Sequence, residues 1–138
     1  MNQTEILNAL AGLTLFSDLD QPQLQAVAHT LSEESFPAGQ RILRQGFAGS
    51  GFFILLDGEV SVRVDGVDVA RLGRGDFFGE ISLLLGEPPV ADVVAESPVE
   101  ALQLAGPQLR DFLLLHPPVM FRMLQSVSRR LERANRRG

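Results

Sequence analysis

The spacing of apolar and polar positions changes twice along this chain. Between residues 4 and 30 it is helical: TEILNALAGL carries an amphipathic stripe, FSDLDQPQL breaks it as a turn, and Asp20 can cap a helix starting near Pro22. The intervening LFSDL fits one turn of tight helix. From about residue 32 to 105 the pattern shortens to strands broken by glycine. Val60, Val62 and Val64 alternate with Ser61, Arg63 and Asp65, the period of a half-buried strand. Asp65-Gly66 follows as a hairpin turn, and VDVARL resumes the alternation. Gly39, Gly46, Gly58, Gly75 and Gly86 recur at turn-like intervals, so this segment predicts a small antiparallel barrel or roll.

After Gly106 the pattern is helical again. Pro107 suits a first helical position, QLRDFLLLH follows, and Pro117-Pro118 closes that helix before a second one from about 118 to 136. There Met120, Leu124, Val127, Leu131 and Ala134 repeat with steps of 4, 3, 4 and 3, an a/d seam over roughly two heptads. Two expectations stay open for it: packing on the roll of the same chain, or a homodimer seam. Pro117-Pro118 is either a joint that can move or a static kink.

Composition narrows the class. A chain of 138 residues fits one domain with a real core, and 45% apolar with 21% charged residues is ordinary for a soluble globular protein. No apolar run approaches the roughly 18 residues that span a bilayer, and MNQTEILNAL has no basic leader, so secretion is not expected. The absence of cysteine excludes disulfides and thiolate metal sites and fits a cytoplasmic location. Net charge is −5, yet residues 129–138 hold five Arg and one Glu, a local +4, which leaves −9 on the rest. That body repels nucleic acid and anionic lipid. The tail reads as a solvated helix end, a junction to an effector, or a contact with DNA or acidic lipid. No helix-turn-helix follows it, so specific DNA recognition is not expected; a protein effector is one candidate partner.

One segment carries candidate chemistry. In Gly79-Glu80-Ile81-Ser82 a glycine between a strand-like run and a short helix exposes backbone N–H groups suited to an anion, and glycine permits close approach. The competing reading of Glu80 is a carboxylate that stabilises a helix start through its dipole. Phe52, Phe53, Phe77 and Phe78 read as core. His29 and His116 are isolated, which disfavours a metal site and a cupin-type metalloenzyme, and no Ser–His–acid set is visible.

The chain also resembles the cyclic nucleotide-binding domain family, that of catabolite-activator-type regulators and kinase regulatory subunits. The resemblance rests on LFSDL, FPAGQRILRQG, GFFILLDGEVSV, GRGDFFGEISLL, GEP and ADV, in that order across residues 14–136. It implies a mainly β fold: an eight-stranded antiparallel β-roll, jelly-roll-like, with N-terminal helices in 1–31, the roll in 32–105 and a C-terminal helix pair in 106–137, all as one domain. It also implies a ligand-binding cassette over 77–92, built on Phe78, Gly79, Glu80, Ile81, Ser82, Pro89, Val90 and Ala91. In that family the Glu matching Glu80 accepts a hydrogen bond from the ribose 2′-hydroxyl, backbone amides matching Ile81 and Ser82 contact phosphate or ribose, and an Arg nine residues after the Glu pairs with the phosphate. Here that position is Pro89, followed by Val90 where a small or hydroxyl residue is favoured; Ala91 matches, and Asp92 stands where Thr or Ser is favoured. A proline supplies neither charge nor N–H.

The expectation is therefore a non-enzymatic regulatory module with weak or no binding of cAMP or cGMP and no fixed cofactor, pairing through Met120, Leu124, Val127 and Leu131. The alternatives are a true cyclic-nucleotide receptor with an Arg supplied by Arg41, Arg44, Arg71 or Arg74, another small-molecule ligand, and a nucleic-acid or membrane contact through the tail.

Overall fold

A computed structural model describes residues 1–47 and 51–137. The chain opens with α1 (Gln3–Ala11), a 3-10 turn (Thr14–Phe16) and α2 (Gln21–Thr30). Eight strands follow: β1 (Ser32–Phe36), β2 (Arg41–Leu43), β3 (Gly51–Asp57), β4 (Val60–Val64), β5 (Val67–Leu72), β6 (Phe77–Phe78), β7 (Asp92–Ala95) and β8 (Val99–Ala105). The short α3 (Glu80–Leu85) interrupts them between β6 and β7, and α4 (Leu109–Leu115) and α5 (Pro117–Arg137) close the chain. Two compact units result: His29–Arg110, and Met1–Ala28 with the segment from Asp111 onward.

The first unit is the expected eight-stranded roll. Its strands form two four-stranded sheets, β1-β8-β3-β6 and β2-β7-β4-β5, with every pair antiparallel. Leu43, Phe53, Leu55, Val60, Phe78, Val93, Val99 and Ala101 make one core cluster. Phe53 stacks on Phe78 with centroids 5.0 Å apart, and Phe52 lies against Phe77 at 5.6 Å, so all four phenylalanines serve packing as read from sequence. The hairpin between β4 and β5 turns at Asp65 and Gly66, whose φ of 52° and 79° are the two left-handed positions of a type I′ turn. β5 departs from the sequence reading. Its alternation suggested a half-buried strand, yet it lies at the sheet edge with Val67 63% and Val69 42% exposed. A period of two reports pleating; burial depends on what covers the strand.

In the other unit the helix starts are capped as their residues dictate. Asn2 Oδ1 accepts the Glu5 N–H at 2.9 Å, and Asp20 Oδ1 accepts the Gln23 N–H at 2.9 Å while Gln23 Oε1 takes the Asp20 N–H at 2.9 Å. The 3-10 turn sits at Thr14–Phe16, slightly ahead of the LFSDL run that suggested it. α5 packs on that turn, and Arg122 grips Asp18 with both arms of its guanidinium, at 2.7 and 3.0 Å. The α5 side chains that are buried are Val119 and Met123. The seam read from sequence lies elsewhere on the helix: Met120, Leu124 and Leu131 are 39%, 60% and 61% exposed, and Val127 is half-buried.

Candidate functional site

β6 runs into α3 through Gly79, with φ 97°. A Cβ there would sit 2.3 Å from the Gly51 carbonyl oxygen, so only glycine lets the chain pass this close to β3. The next residue, Glu80, is 2% exposed, an unusual burial for a carboxylate. Ile81 points outward at 45% exposure, whereas Ser82 is buried and its Oγ donates to the Gly79 carbonyl at 3.3 Å. α3 ends at Gly86, in left-handed conformation, and the Gly86 and Glu87 amides both donate to the Ser82 carbonyl. A cavity of about 460 Å³ beside this end is lined by Ser82, Leu83, Gly86 and Glu87 with Gly106 and Pro107.

The second half of the cassette is used for tying loops together. Pro89 is buried, and its carbonyl accepts the Gly46 N–H at 2.9 Å. Val90 is 50% exposed and Ala91 half-buried. Asp92 turns to the loop after β2: its Oδ1 accepts the Gln45 N–H at 2.8 Å, and its Oδ2 lies 4.0 Å from Arg41 Nε. The Gln45 side chain then clasps the hairpin tip, Nε2 donating to Asp65 Oδ1 and Oε1 accepting the Asp65 N–H, both at 2.9 Å. Gln45 and its partners carry no sequence signal, because they lie 20 and 47 residues apart and no local rule pairs them.

The candidate replacement arginines are placed as follows. Arg71 Nη1 is 3.7 Å from Glu59, Arg74 Nη1 donates to the Leu56 carbonyl at 3.4 Å, Arg41 faces Asp92, and Arg44 is exposed. Among the described residues no cluster of three or more His, Cys, Asp or Glu is arranged to hold a metal ion, and no helix is long and apolar enough to cross a membrane.

A two-sheet antiparallel roll with a strand–glycine–helix segment between β6 and β7 defines the class as an eight-stranded antiparallel β-roll. The family model for the cyclic nucleotide-binding domain matches residues 33–116, and the chain belongs to that family. Over 108 residues it is 35% identical to cGMP-dependent protein kinase egl-4 of Caenorhabditis briggsae, covering 73% of this chain and 14% of the kinase. The regulatory subunit of a cAMP-independent protein kinase A from Trypanosoma brucei superposes with a TM-score of 0.79 at 30% identity, over 92% of this chain and 46% of that one. A variant of that subunit, TM-score 0.78, is bound to cAMP in its A site; alanine replaces a glutamate, arginine a threonine seven positions later, and alanine the adjoining valine. The regulatory subunit from Trypanosoma cruzi, bound to guanosine, superposes with a TM-score of 0.73 at 28% identity, over 85% of this chain and 42% of that one. The chain spans less than half the length of these relatives.

Proposed function

We propose that this chain is a non-enzymatic regulatory module whose cassette has given up the cyclic phosphate and takes a neutral ligand, a nucleoside being the chemistry that suits it. One observation carries the reading: the residue nine positions after Glu80 is a buried proline. Pro89 offers neither cation nor N–H to an anion, and its carbonyl is already committed to Gly46. Loss of one charge-assisted hydrogen bond to phosphate removes roughly 1.5–3 kcal/mol, about ten- to a hundredfold or more in affinity. At the sugar end the buried Glu80 carboxylate remains, an acceptor suited to a ribose hydroxyl. The residues thus fit a ribose and do not fit a cyclic phosphate.

Two relatives support this reading. The cAMP-bound Trypanosoma brucei variant carries an introduced arginine. The Trypanosoma cruzi subunit holds a nucleoside without phosphate. Titration calorimetry with guanosine, adenosine, cAMP and cGMP tests the proposal. We expect a nucleoside to bind at least about tenfold more tightly than its cyclic phosphate. Micromolar binding of either cyclic nucleotide by the native chain would overturn this reading in favour of a receptor with a compensating arginine.

The same reading places the module in the cytoplasm, acting through protein contacts, as a homodimer joined by α5. Light scattering on the native chain and on Leu124→Glu tests the pairing.

A further inference from the structure

We infer that the cassette takes an apolar group where its relatives take a phosphate: the nucleoside carries a small alkyl or alkylthio substituent on C5′, covered by Phe47 and Val90. This rests on the nucleoside reading above and names the ligand class.

Two segments that the backbone holds together carry these side chains. The Gly46 N–H donates to the Pro89 carbonyl at 2.9 Å, and Phe47 and Val90 are the next residue of each segment. The Phe47 N–H closes a turn on the Arg44 carbonyl at 3.2 Å, with Gly46 left-handed at φ 80°, so the position of residue 47 follows from the backbone. Both side chains are large, apolar and left in solvent, 65% and 50% exposed. Among the described residues of the roll unit, every other phenylalanine is buried or half-buried. Apolar surface left in water on a ligand cassette is stabilised by a ligand that covers it.

The charges of the same two segments do not make the place suited to an anion. Asp92 Oδ1 accepts the Gln45 N–H at 2.8 Å, Arg41 faces Asp92 at 4.0 Å, and Arg44 is exposed. A phosphate set here would lose hydration and meet proline, valine and phenylalanine.

The sugar decides which ligand atom meets this end. With the ribose 2′-hydroxyl on Glu80, the adjoining 3′-hydroxyl lies at the same end, since one carboxylate can accept from both hydroxyls of a vicinal diol. A cyclic phosphate bridges O3′ and O5′, and in the family it faces the position that is Pro89 here. The edge of the sugar that meets Phe47 and Val90 therefore ends in C5′. Apolar burial is worth about fourfold in affinity per methylene, so a methylthio group there should gain about tenfold.

Calorimetry on the full chain compares adenosine and guanosine with their 5′-deoxy-5′-methylthio derivatives, with cAMP alongside. The derivative of whichever nucleoside binds should be about tenfold tighter than its parent. Phe47→Asn and, separately, Val90→Thr should shrink that ratio to below about threefold. Both positions are exposed, so the fold is not at stake in either variant. A parent that binds as tightly as its derivative sinks this inference and leaves the nucleoside reading in place. A preference that survives both substitutions removes Phe47 and Val90 from the site. Micromolar cAMP binding, or no binding of any nucleoside or derivative at millimolar concentration, overturns the nucleoside reading and this inference with it.

Discussion

The Gly46 amide donates to the Pro89 carbonyl oxygen across 2.9 Å. The bond ties the loop after β2 to the cassette through backbone atoms alone, so whatever side chain stands at position 89 can change without breaking it. That makes the site a clean place to restore a charge. Pro89→Arg with Val90→Thr supplies the guanidinium and the hydroxyl that the family pattern has there. Affinity for cAMP should rise about ten- to a hundredfold, the worth of one charge-assisted phosphate contact, as read by calorimetry against the native chain. An unchanged affinity would mean that the new arginine cannot reach the ligand.

Gly79→Ala should be severe. The new Cβ would meet the Gly51 carbonyl oxygen at 2.3 Å, and φ of 97° is already hostile to an L side chain. Backbone strain of this kind costs about 1–3 kcal/mol before the clash is counted. The expected melting temperature falls by at least about 4 °C. A variant that melts with the wild type would show that β3 and α3 separate freely at this point.

These two positions also show what the sequence could and could not disclose. Glycine at 79 and proline at 89 are local facts, and local facts were legible: the hairpin at Asp65-Gly66, the cap at Asp20 and the roll itself all follow from short-range patterns. Pairings across long separations were not. Asp92 stands in sequence merely as a departure from the Thr or Ser that the family favours, yet its carboxylate accepts the Gln45 amide 47 residues away. The seam on α5 has the same lesson in reverse. Its period was visible, but whether Met120 and Leu124 or Val119 and Met123 are the buried pair depends on helix rotation, which periodicity leaves free.

The Asp92–Gln45–Asp65 chain of contacts gives a third expectation. Asp92→Ala removes the acceptor of a partly buried amide, a loss of about 1–2 kcal/mol. It should also free the Gln45 side chain from the hairpin tip, so hydrogen exchange at the Asp65 amide accelerates with that at Gln45. Acceleration at Gln45 alone would show that the two contacts are independent.

Acid should weaken the helical unit in two stages. His116 is buried against Phe112, and burial holds its imidazole below the ordinary 6.5, in the neutral form. A base whose folded pKa is depressed stabilises the fold fully above its unfolded pKa. Its contribution is lost as pH falls below about 6.5, because the unfolded chain then takes up the proton first. Asp18 is held below its ordinary 3.8 chiefly by the hydrogen bond from Arg122. Its contribution is present above that value and is lost only as pH falls further, toward the folded pKa. Melting temperatures from pH 8 to 3 should therefore show a first decline that His116→Gln abolishes and a later one that Asp18→Asn reduces. If the His116→Gln curve runs parallel to the wild type between pH 7.5 and 5, the buried imidazole is not what senses the first step.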